Sequence, residues 1–519
     1  MFSTITSGAI HGIDSYLMSV EVDTAQALPG FDIVGFAGSE VKEARERVRV
    51  ALKNAGIILP PIRITVNLSP ANIRKEGSSC DLPIAVGILT SLGYIPPDCV
   101  DRTLVIGELG LNGEVKPVKG ILPIVMEARK QGYRRCIVPQ ENANEGAVIT
   151  QIDIIGVCNL KQTLHYLSTP EEKKSTICLS TTSSLLEQLS HNQQFPQLDY
   201  ADINGQERAK RAAEVSAAGF HNMLLIGPPG SGKTMIAKRL PTILPPLTIS
   251  ESLEVSKIYS VSGMLNATES LITKRPFMNP HHTISEQALA GGGRIPRPGV
   301  MSLAHRGVLF LDELPEFKRA TLEIMRQPME DKEIHISRNY GTFIYPADFI
   351  LLGAMNPCPC GYYPDQNRCN CKPNGVHRYL GRISGPIMDR MDITVEAESI
   401  GIQELTDHRL NETSANIRAR VMGAREKQIS RFKGTPLRFN ADIGVSDIRR
   451  YCALNNEGSY LMEEAFHKMH LSARGYHRIL KVARTIADLD GADSIGVLHL
   501  SEAISYRAYD NQCWEDKTR

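Results

Sequence analysis

The residues best suited to chemistry lie in a glycine-rich turn that follows a short apolar run. Residues 227 to 234 read Gly-Pro-Pro-Gly-Ser-Gly-Lys-Thr, directly after Met-Leu-Leu-Ile. Small residues at this spacing let backbone N–H groups close around a triphosphate, while Lys233 reaches the β- and γ-phosphates and Thr234 ligates Mg²⁺. A helix that begins here would point its positive dipole end at the anion, so the pattern predicts a site for ATP and Mg²⁺. The residues assigned to nucleotide binding are Ile203, Gly227, Pro228, Pro229, Gly230, Ser231, Gly232, Lys233, Thr234 and Met235.

Two carboxylates follow a second apolar run further along the chain. Residues 307 to 311 read Gly-Val-Leu-Phe-Leu and lead into Asp312 and Glu313, as expected of a buried parallel strand whose carboxyl end faces a nucleotide. In this position Asp312 would hold Mg²⁺, and Glu313 would orient and deprotonate the attacking water. The pair therefore predicts hydrolysis of ATP in addition to binding.

Three further polar residues are assigned to the active site by resemblance to the AAA+ ATPases. Asn356 ends a strand predicted over 348 to 355 and resembles the sensor-1 residue that helps to position the water, with a turn residue as the alternative. Residues 384 to 392 resemble the arginine-finger segment of the magnesium-chelatase and MCM-helicase branch, which implies that Arg390 reaches into a neighbouring subunit's site. Residues 472 to 480 resemble the sensor-2 helix, with Arg478 as the first candidate contact and Arg474 as the second.

Four of the eleven cysteines are crowded into a short segment. Cys358 and Cys360 are separated by an eight-residue loop from Cys369 and Cys371. Clustered thiols in a chain without a secretory leader favour a structural metal over disulfides, and Zn²⁺ is the predicted ion. Because Cys-x-Cys is tighter than the usual two-residue spacing, a redox pair is the alternative.

Basic and histidine residues near the catalytic strands suggest contacts with nucleic acid. Residues 333 to 344 alternate like a β-hairpin, and in the resembled branch such hairpins line the pore of the ring. Lys332, Arg338 and Arg294 are therefore predicted to contact DNA phosphates, with solvated surface charge as the alternative. His281 and His282 have no nearby Cys or Glu triad, so they make a poor zinc site and favour structural or nucleic-acid contacts.

The sequence pattern divides the 519 residues into four parts and predicts an α/β protein. Residues 1–165 mix strand and helix patterns, and 166–197 form a polar, turn-rich linker. Residues 198–400 are predicted to be an ATPase core with a parallel sheet, which contains the hairpin 333–344 and the cysteine insert 358–371. Residues 401–519 are predicted to be a helical lid.

The first domain resembles the proteolytic domain of Lon in two stretches. Residues 75 to 81, Lys-Glu-Gly-Ser-Ser-Cys-Asp, place Ser79 where that family keeps its nucleophile, and residues 107 to 122 carry the second match. The same register places Leu122 at the position of the lysine base, with Lys119 three residues away as the alternative base. A serine without an adjacent base is a weak nucleophile, so we expect a Lon-like scaffold without proteolysis.

Composition limits the class of protein and its surroundings. Hydrophobic residues make up 42% and charged residues 22% of the chain, as in soluble globular proteins. The net charge of +1 neither requires nor excludes nucleic acid, so a DNA-binding surface has to be a local patch. The start of the chain lacks a leader pattern, and no apolar run approaches membrane-spanning length, so we expect a cytoplasmic protein with no membrane partner.

The motifs together resemble the ComM family, also called YifB or magnesium-chelatase-like, over essentially the full length. The most specific segments are Pro-His-His-Thr at 280 to 283, Phe-Leu-Asp-Glu-Leu-Pro-Glu-Phe at 310 to 317 and Met-Asn-Pro-Cys-Pro-Cys-Gly at 355 to 361. The resemblance implies a bacterial homohexameric ATPase that binds single-stranded, forked or junction DNA. It further implies branch migration during homologous recombination, chiefly in natural transformation, alongside other recombination proteins.

Two other functions are open from the sequence. A protein-remodelling ATPase, like the chelatase motor subunits, would use the Lon-like domain to bind a protein partner. An ATP-dependent protease would require Ser79 to find a base. ATPase activity that responds to DNA distinguishes the motor from the first alternative, and casein degradation that depends on Ser79 would identify the second.

Overall fold

The computed structural model describes residues 1–35, 38–71, 75, 77–174, 180–181, 198–265, 270–338, 341–365, 367–399 and 411–507. The chain divides into two units by its internal packing. One unit contains Met1–Asn192 with Ile249–Thr273, and the other contains Gln193–Thr248 with Lys274–Arg519. None of the helices in the described ranges has the length and apolar character needed to cross a lipid bilayer.

The first unit is built on an eight-stranded mixed sheet. Its strands and the short β6–β7 ribbon are β1 (Phe2–His11), β2 (Asp14–Ala25), β3 (Gly30–Val34), β4 (Arg63–Ser69), β5 (Thr103–Val105), β6 (Glu108–Leu109), β7 (Val115–Lys116), β8 (Arg135–Pro139), β9 (Asp153–Val157) and β10 (Ser180–Thr181). The sheet order is β10-β9-β8-β5-β1-β2-β4-β3. Met18, Val20 and Val22 alternate along β2 and are buried, so one face of this strand packs into the core.

Helices pack on this sheet and bury its apolar faces. Asp81–Ser91 is buried along its whole length, since it carries almost no polar side chain between its ends. The helices of this unit are Ser39–Asn54, Asp81–Ser91, Ile121–Lys130, Ala143–Ala147, Leu160–Ser168, Glu171–Lys174 and Ile249–Ser262. Short 3₁₀ turns lie at Pro97–Val100 and Gln140–Asn142.

The helix Ile249–Ser262 belongs to the first unit, although the sequence analysis places it inside the core 198–400. Its buried Ser260 hydroxyl donates a hydrogen bond to the buried carboxylate of Glu145. Leu271, which is 2% exposed, joins the apolar cluster of the first unit. The predicted core is therefore interrupted, because residues 249–273 satisfy the buried Glu145 carboxylate through Ser260 and bury Leu271 among the apolar residues of the first unit.

The second unit contains a five-stranded sheet in which every neighbouring pair is parallel. The strands of the unit are β11 (Met223–Ile226), β12 (Phe277–Met278), β13 (Gly291–Gly292), β14 (Arg297–Pro298), β15 (Val308–Leu311), β16 (Glu333–Arg338), β17 (Gly341–Pro346), β18 (Ile350–Met355) and β19 (Ile393–Glu396). The sheet order is β12-β15-β18-β11-β19, which confirms the predicted parallel sheet. Its carboxyl ends meet at one edge, where a ligand site is expected.

A helical region follows the sheet, as predicted for the end of the chain. Asn455 and Ser472 cap two of these helices through side-chain bonds from the amides of Gly458 and Gly475. One apolar cluster joins the sheet to these helices. The helices of the unit are Glu207–Gly219, Lys233–Ile243, Glu286–Ala290, Val300–Leu303, Arg319–Glu323, Pro328–Asp331, Pro373–Leu380, Gly385–Met388, Ser414–Arg431, Val445–Tyr451, Asn456–Lys468, Ala473–Leu489 and Val497–Ser505, with 3₁₀ turns at Tyr200–Asp202, Leu314–Glu316 and Asn440–Asp442.

Candidate active site

The predicted phosphate loop lies between the buried strand β11 and the helix Lys233–Ile243. A Cβ added at Gly227 would lie 2.2 Å from the Ala397 carbonyl oxygen, so only glycine allows this close approach. Gly230 and Gly232 have φ angles of +79° and +84°, a conformation that favours glycine. The loop therefore needs its glycines for backbone geometry, as the sequence pattern predicts.

Lys233 occupies the centre of this loop. Its Nζ donates to the carbonyl oxygens of Gly227 and Pro228, each at 2.8 Å, and to the Asn356 side-chain oxygen at 3.3 Å. Burial lowers the pKa of Lys233 to about 8, against the nearby Asp312 carboxylate, which raises it. The negative charge of a bound phosphate would stabilise the protonated amine of Lys233, so this side chain suits an anionic ligand.

Thr234 and Asp312 bring two hard oxygen ligands together. The Thr234 hydroxyl donates to Asp312 Oδ2 at 2.9 Å, at the carboxyl end of β15. Hydroxyl and carboxylate oxygens are the donor types that Mg²⁺ prefers, and it keeps several waters in such sites. The donor types of this pair therefore fit the predicted Mg²⁺ site.

Glu313 is exposed beside these ligands, with 63% of its side chain accessible. Its φ of +52° is in the left-handed region, which turns the chain sharply after β15. Its own amide donates to Asp312 Oδ1 at 3.0 Å. Asp312 contacts Thr234, whereas the Glu313 side chain after the sharp turn is open to solvent. This arrangement suits a metal ligand followed by a base.

Sequence reasoning missed the imidazole that faces Glu313. His282 Nδ1 lies 3.6 Å from Glu313 Oε2, and its ring contacts that of His281 in a tilted arrangement with centroids 4.1 Å apart. The only sequence signal was position, since His282 comes four residues after β12, which pairs with β15, the strand that leads into Asp312 and Glu313. His281 instead faces Thr283, whose hydroxyl is 2.9 Å from its Nδ1.

We expect His282→Ala to lower kcat for ATP by about tenfold with an unchanged KM, because the carboxylate loses the group that orients it. His282→Gln keeps an N–H donor and should restore part of kcat. His281→Ala is the matched control on the same turn and should change kcat much less. Steady-state ATPase kinetics of the three variants check this, and an unchanged kcat in His282→Ala would exclude a positioning role.

The predicted arginine finger and both sensor-2 candidates line one cavity of about 430 Å³. Arg390 pairs with Glu330 and donates to the Pro386 carbonyl oxygen at 2.8 Å. Arg474 reaches the same Glu330 at 3.3 Å. No residue of the phosphate loop lines this cavity, and neither Asp312, Glu313 nor Asn356 does.

Arg478 is held more firmly than Arg474 in this cavity. Its Nε lies 3.4 Å from Asp392 Oδ1, and a terminal nitrogen donates to the Met391 carbonyl oxygen at 3.2 Å. Only 15% of the Arg478 side chain is accessible, compared with 58% for Arg474. Arg474 is thus the more accessible of the two sensor-2 candidates, although the sequence analysis ranks it second.

The four clustered cysteines bring their sulfur atoms within 4.8 Å of one another. Cys358 Sγ lies 3.3 Å from Cys360 Sγ and 3.8 Å from Cys369 Sγ. A tetrahedron with Zn–S bonds of about 2.3 Å has S–S edges of about 3.8 Å, so four thiolates fit a Zn²⁺ ion here. The amide of Gly361 donates to Cys358 Sγ at 3.2 Å, a contact that stabilises a thiolate ligand.

This cysteine cluster also supports the phosphate loop. Gly361 has φ +88°, and a Cβ at this position would lie 2.4 Å from Pro229 Cδ. The turn that follows the first cysteine pair therefore packs against the loop itself. The metal, when bound, would neutralise the thiolates and fix this turn.

We expect the purified protein to carry about one equivalent of zinc per chain. Cys358→Ser should reduce the zinc content to below about half an equivalent, because a hydroxyl is a poor replacement for a buried thiolate ligand. Cys158→Ser, an exposed cysteine of the first unit, is the control and should retain the metal. Total metal by mass spectrometry checks the prediction, and a metal-free wild-type protein would contradict it.

The predicted hairpin is formed by β16 and β17. Glu333 pairs with Pro346 at its open end, and Arg338 pairs with Gly341 next to the turn. Arg338 Nε donates to the Gly293 carbonyl oxygen at 3.2 Å, and the buried Tyr345 hydroxyl donates to the Pro296 carbonyl oxygen at 2.9 Å. Gly293 and Pro296 belong to the turn between β13 and β14. The two ribbons are therefore held side by side.

The three residues predicted to contact DNA lie in different environments. Arg338 and Arg294 are exposed. Lys332 forms ion pairs with Asp348, at 3.4 Å, and with Asp442. Burial disfavours its charge, but the two carboxylates outweigh burial and raise the pKa of Lys332. A phosphate would have to compete with these carboxylates for its ammonium group.

Ile203 and the Lon-like residues are also located by the structure. Ile203 is 2% exposed and lies in the apolar cluster of the second unit, and its assignment to nucleotide binding stays a prediction. The Ser79 carbonyl oxygen accepts a backbone hydrogen bond from the Gly107 amide, and the Ser79 side chain hydrogen-bonds the thiol of Cys80. Leu122 is fully buried, as expected of a residue that replaces a base with an apolar group.

Three protein-family models match successive parts of the chain. The family model described as magnesium chelatase, subunit ChlI, matches residues 199–405. The model described as subunit ChlI of Mg-chelatase matches residues 20–142, and the model of the magnesium chelatase subunit ChlI C-terminal region matches residues 411–507.

Curated relatives match nearly the whole chain. The competence protein ComM of Haemophilus influenzae is 42% identical over 516 residues, which covers 97% of both chains. The YifB protein of Escherichia coli is 41% identical over 516 residues, which covers 98% of this chain and 97% of the relative. Lon protease 2 of Bacillus subtilis is 30% identical over 177 residues, or 30% of this chain and 31% of the relative, in agreement with a Lon-like segment. The chain therefore belongs to the ComM and YifB family of magnesium-chelatase-like AAA+ ATPases.

Proposed function

We propose that this protein is an ATP-hydrolysing motor that works on DNA as a homohexameric ring, unwinding DNA and driving branch migration during the recombination that follows natural transformation. The observation that carries the motor is the convergence of Lys233, Thr234 and Asp312 with Asn356 at one sheet edge, beside an exposed Glu313. The assignment to DNA rests on the resemblance to the ComM family. A relative named as a competence protein supports it.

In this proposal each residue of the site has one task in ATP hydrolysis. Lys233 exchanges its contacts with the loop carbonyls for the phosphates, and Asn356 helps to hold the attacking water. Thr234 and Asp312 would hold Mg²⁺, which would neutralise charge on the phosphates. Glu313 accepts the proton from the water, within reach of the His282 imidazole.

The cavity that contains Arg390 supports a ring. Three arginines predicted to contact nucleotide share this cavity, yet it excludes the phosphate loop of the same chain. An arginine that cannot reach the ATP of its own chain can complete the ATP site of a second copy. Contacts of this head-to-tail kind between copies can close into a ring. Arg390 would then stabilise charge on the phosphate of the neighbouring subunit's ATP.

DNA-stimulated hydrolysis tests the function directly. We expect single-stranded or forked DNA to increase ATP turnover, and we expect DNA affinity to fall steeply as salt rises, because phosphate contacts release counterions. ATP turnover with and without DNA and binding titrations at several salt concentrations are the measurements. An ATP turnover that is the same with and without DNA, together with no salt-sensitive DNA binding, would refute the DNA motor and favour a protein-remodelling ATPase.

A further inference from the structure

We infer that Arg319, Arg378 and Arg382 form a binding surface for the phosphodiester backbone of DNA, which we call the arginine surface. The three guanidinium groups line an open cavity of about 500 Å³ together with the carboxylate of Glu316. Phe317 is part of the same lining. This inference rests on the proposed DNA motor and adds a contact site away from the predicted hairpin residues.

The charges of this cavity are not balanced by the protein. Three arginines with one glutamate leave a formal surplus of two positive charges around the cavity. The Glu316 carboxylate is paired with Arg382, which donates a hydrogen bond to its Oε1 at 2.8 Å. Glu323, the carboxylate that interacts with Arg319, is itself bonded by Arg326 at 2.8 Å. Like charges around one cavity repel each other, and an anionic ligand would relieve this repulsion.

The chemistry of the arginines indicates phosphate. A guanidinium fork donates two parallel hydrogen bonds to phosphate oxygens and is weakly hydrated, so several forks around one cavity suit a chain of phosphates. Arg378 lies in the last turn of the helix Pro373–Leu380, and Arg319 begins the helix Arg319–Glu323, so helical backbone carries both side chains. Contacts of this kind position a nucleic acid and are independent of its sequence.

The ligand is not the nucleotide of the active site, because no phosphate-loop residue lines this cavity. Exposed cations continue along the same segment, where Lys372 precedes the helix and Arg368 stacks over the Tyr362 ring at 4.4 Å. The chain as a whole carries a net charge of only +1, so this excess is local. A local basic patch is the electrostatic footprint expected of a DNA-binding surface.

The position of the arginine surface connects it to hydrolysis. Pro315 and Glu316 form part of the cavity wall, and they belong to the turn Leu314–Glu316 that directly follows Glu313. The helix Pro373–Leu380 begins two residues after Cys371, the last cysteine of the cluster. A DNA phosphate bound here would therefore act on the segments next to the hydrolytic carboxylate and next to the cysteine cluster.

The test compares the full-length wild type with Arg319→Ala/Arg378→Ala. Anisotropy of a fluorescein-labelled deoxythymidine oligonucleotide gives its Kd between about 50 and 200 mM salt. Two lost phosphate contacts should reduce the slope of log affinity against log salt by about 1.4 and weaken binding at low salt by about tenfold or more. Arg319→Lys/Arg378→Lys retains the charges and should keep most of the slope. Arg449→Ala, an exposed arginine of another helix, is the control and should match the wild type.

Each outcome has one meaning. A reduced slope in the alanine pair, recovered in the lysine pair, supports the inference. An unchanged slope and Kd in the alanine pair overturn it, and so does a loss confined to the affinity for a fluorescent ATP analogue. If the alanine pair does not fold, Arg319→Gln/Arg378→Gln replaces it, with thermal unfolding as the check. Wild type that binds no DNA at all would instead refute the proposed motor.

Discussion

Glu313→Gln is expected to lower ATP turnover by about 10²- to 10⁴-fold while nucleotide still binds. The amide has nearly the shape of the carboxylate but cannot accept the proton of the attacking water. Lys233, Thr234 and Asp312 keep their contacts in this variant, because their hydrogen bonds go to loop carbonyl oxygens and to each other and do not involve the Glu313 side chain. Binding and hydrolysis should therefore separate at this residue.

Two assays on the same preparation check this separation. Titration with a fluorescent ATP analogue should give a Kd close to that of the wild type, and phosphate release should be nearly absent. Glu457→Gln, an exposed glutamate at the start of the helix Asn456–Lys468, is the control and should hydrolyse ATP normally. Turnover at the wild-type rate in Glu313→Gln would show that another group is the base.

Arg390→Ala should lower turnover by about 10³-fold or more if the arginine acts as a finger. The defect should be complemented across subunits, because Arg390 and the phosphate loop belong to different sites of the same chain. Mixing Arg390→Ala with Lys233→Ala should leave about a quarter of the interfaces with both an intact loop and an intact finger. The mixture should then hydrolyse ATP faster than either variant alone.

Subunit mixing needs a control for dilution. Lys233→Ala mixed with Arg449→Ala shows how an inactive loop affects neighbours that have a normal finger. Cross-linking of the mixture establishes that the two variants share rings. Wild-type turnover of Arg390→Ala by itself would remove it from the catalytic site.

The elements of the active site are predictable from sequence because they are local. A buried apolar run followed by glycines or carboxylates specifies both the strand and the group that the strand delivers. Lys233, Asp312 and Asn356 converge as expected, since the carboxyl ends of parallel strands meet at one edge. The hairpin of β16 and β17 is equally local, and its alternation predicts it correctly.

Contacts between distant segments could not be predicted from a single sequence. Lys332 has the composition of a surface cation, but folding brings Asp442, 110 residues away, into an ion pair with it. The helix Ile249–Ser262 follows the phosphate-loop region in sequence, yet Ser260 finds its partner at Glu145 in the first unit. The sequence around Lys332 and around Ser260 contains no pattern that identifies Asp442 or Glu145 as the partner.

The pairing of His282 with Glu313 has the same origin. A histidine pair without other ligands argues against zinc, and sequence reasoning stops there. The side-by-side arrangement of β12 and β15 places the residues that follow these strands together. This neighbour of the proposed base therefore becomes visible only when the order of strands is known.

The proposed DNA motor can be tested by strand exchange on a three-strand DNA junction that carries a fluorescent displaced strand. We expect wild-type protein to release the labelled strand when ATP and Mg²⁺ are present, and we expect Glu313→Gln to bind the junction without releasing it. Both proteins should bind the junction with the same dependence on salt. Wild-type protein that hydrolyses ATP but never moves the junction, or Glu313→Gln that moves it as fast as the wild type, would refute a motor that uses Glu313 to drive branch migration.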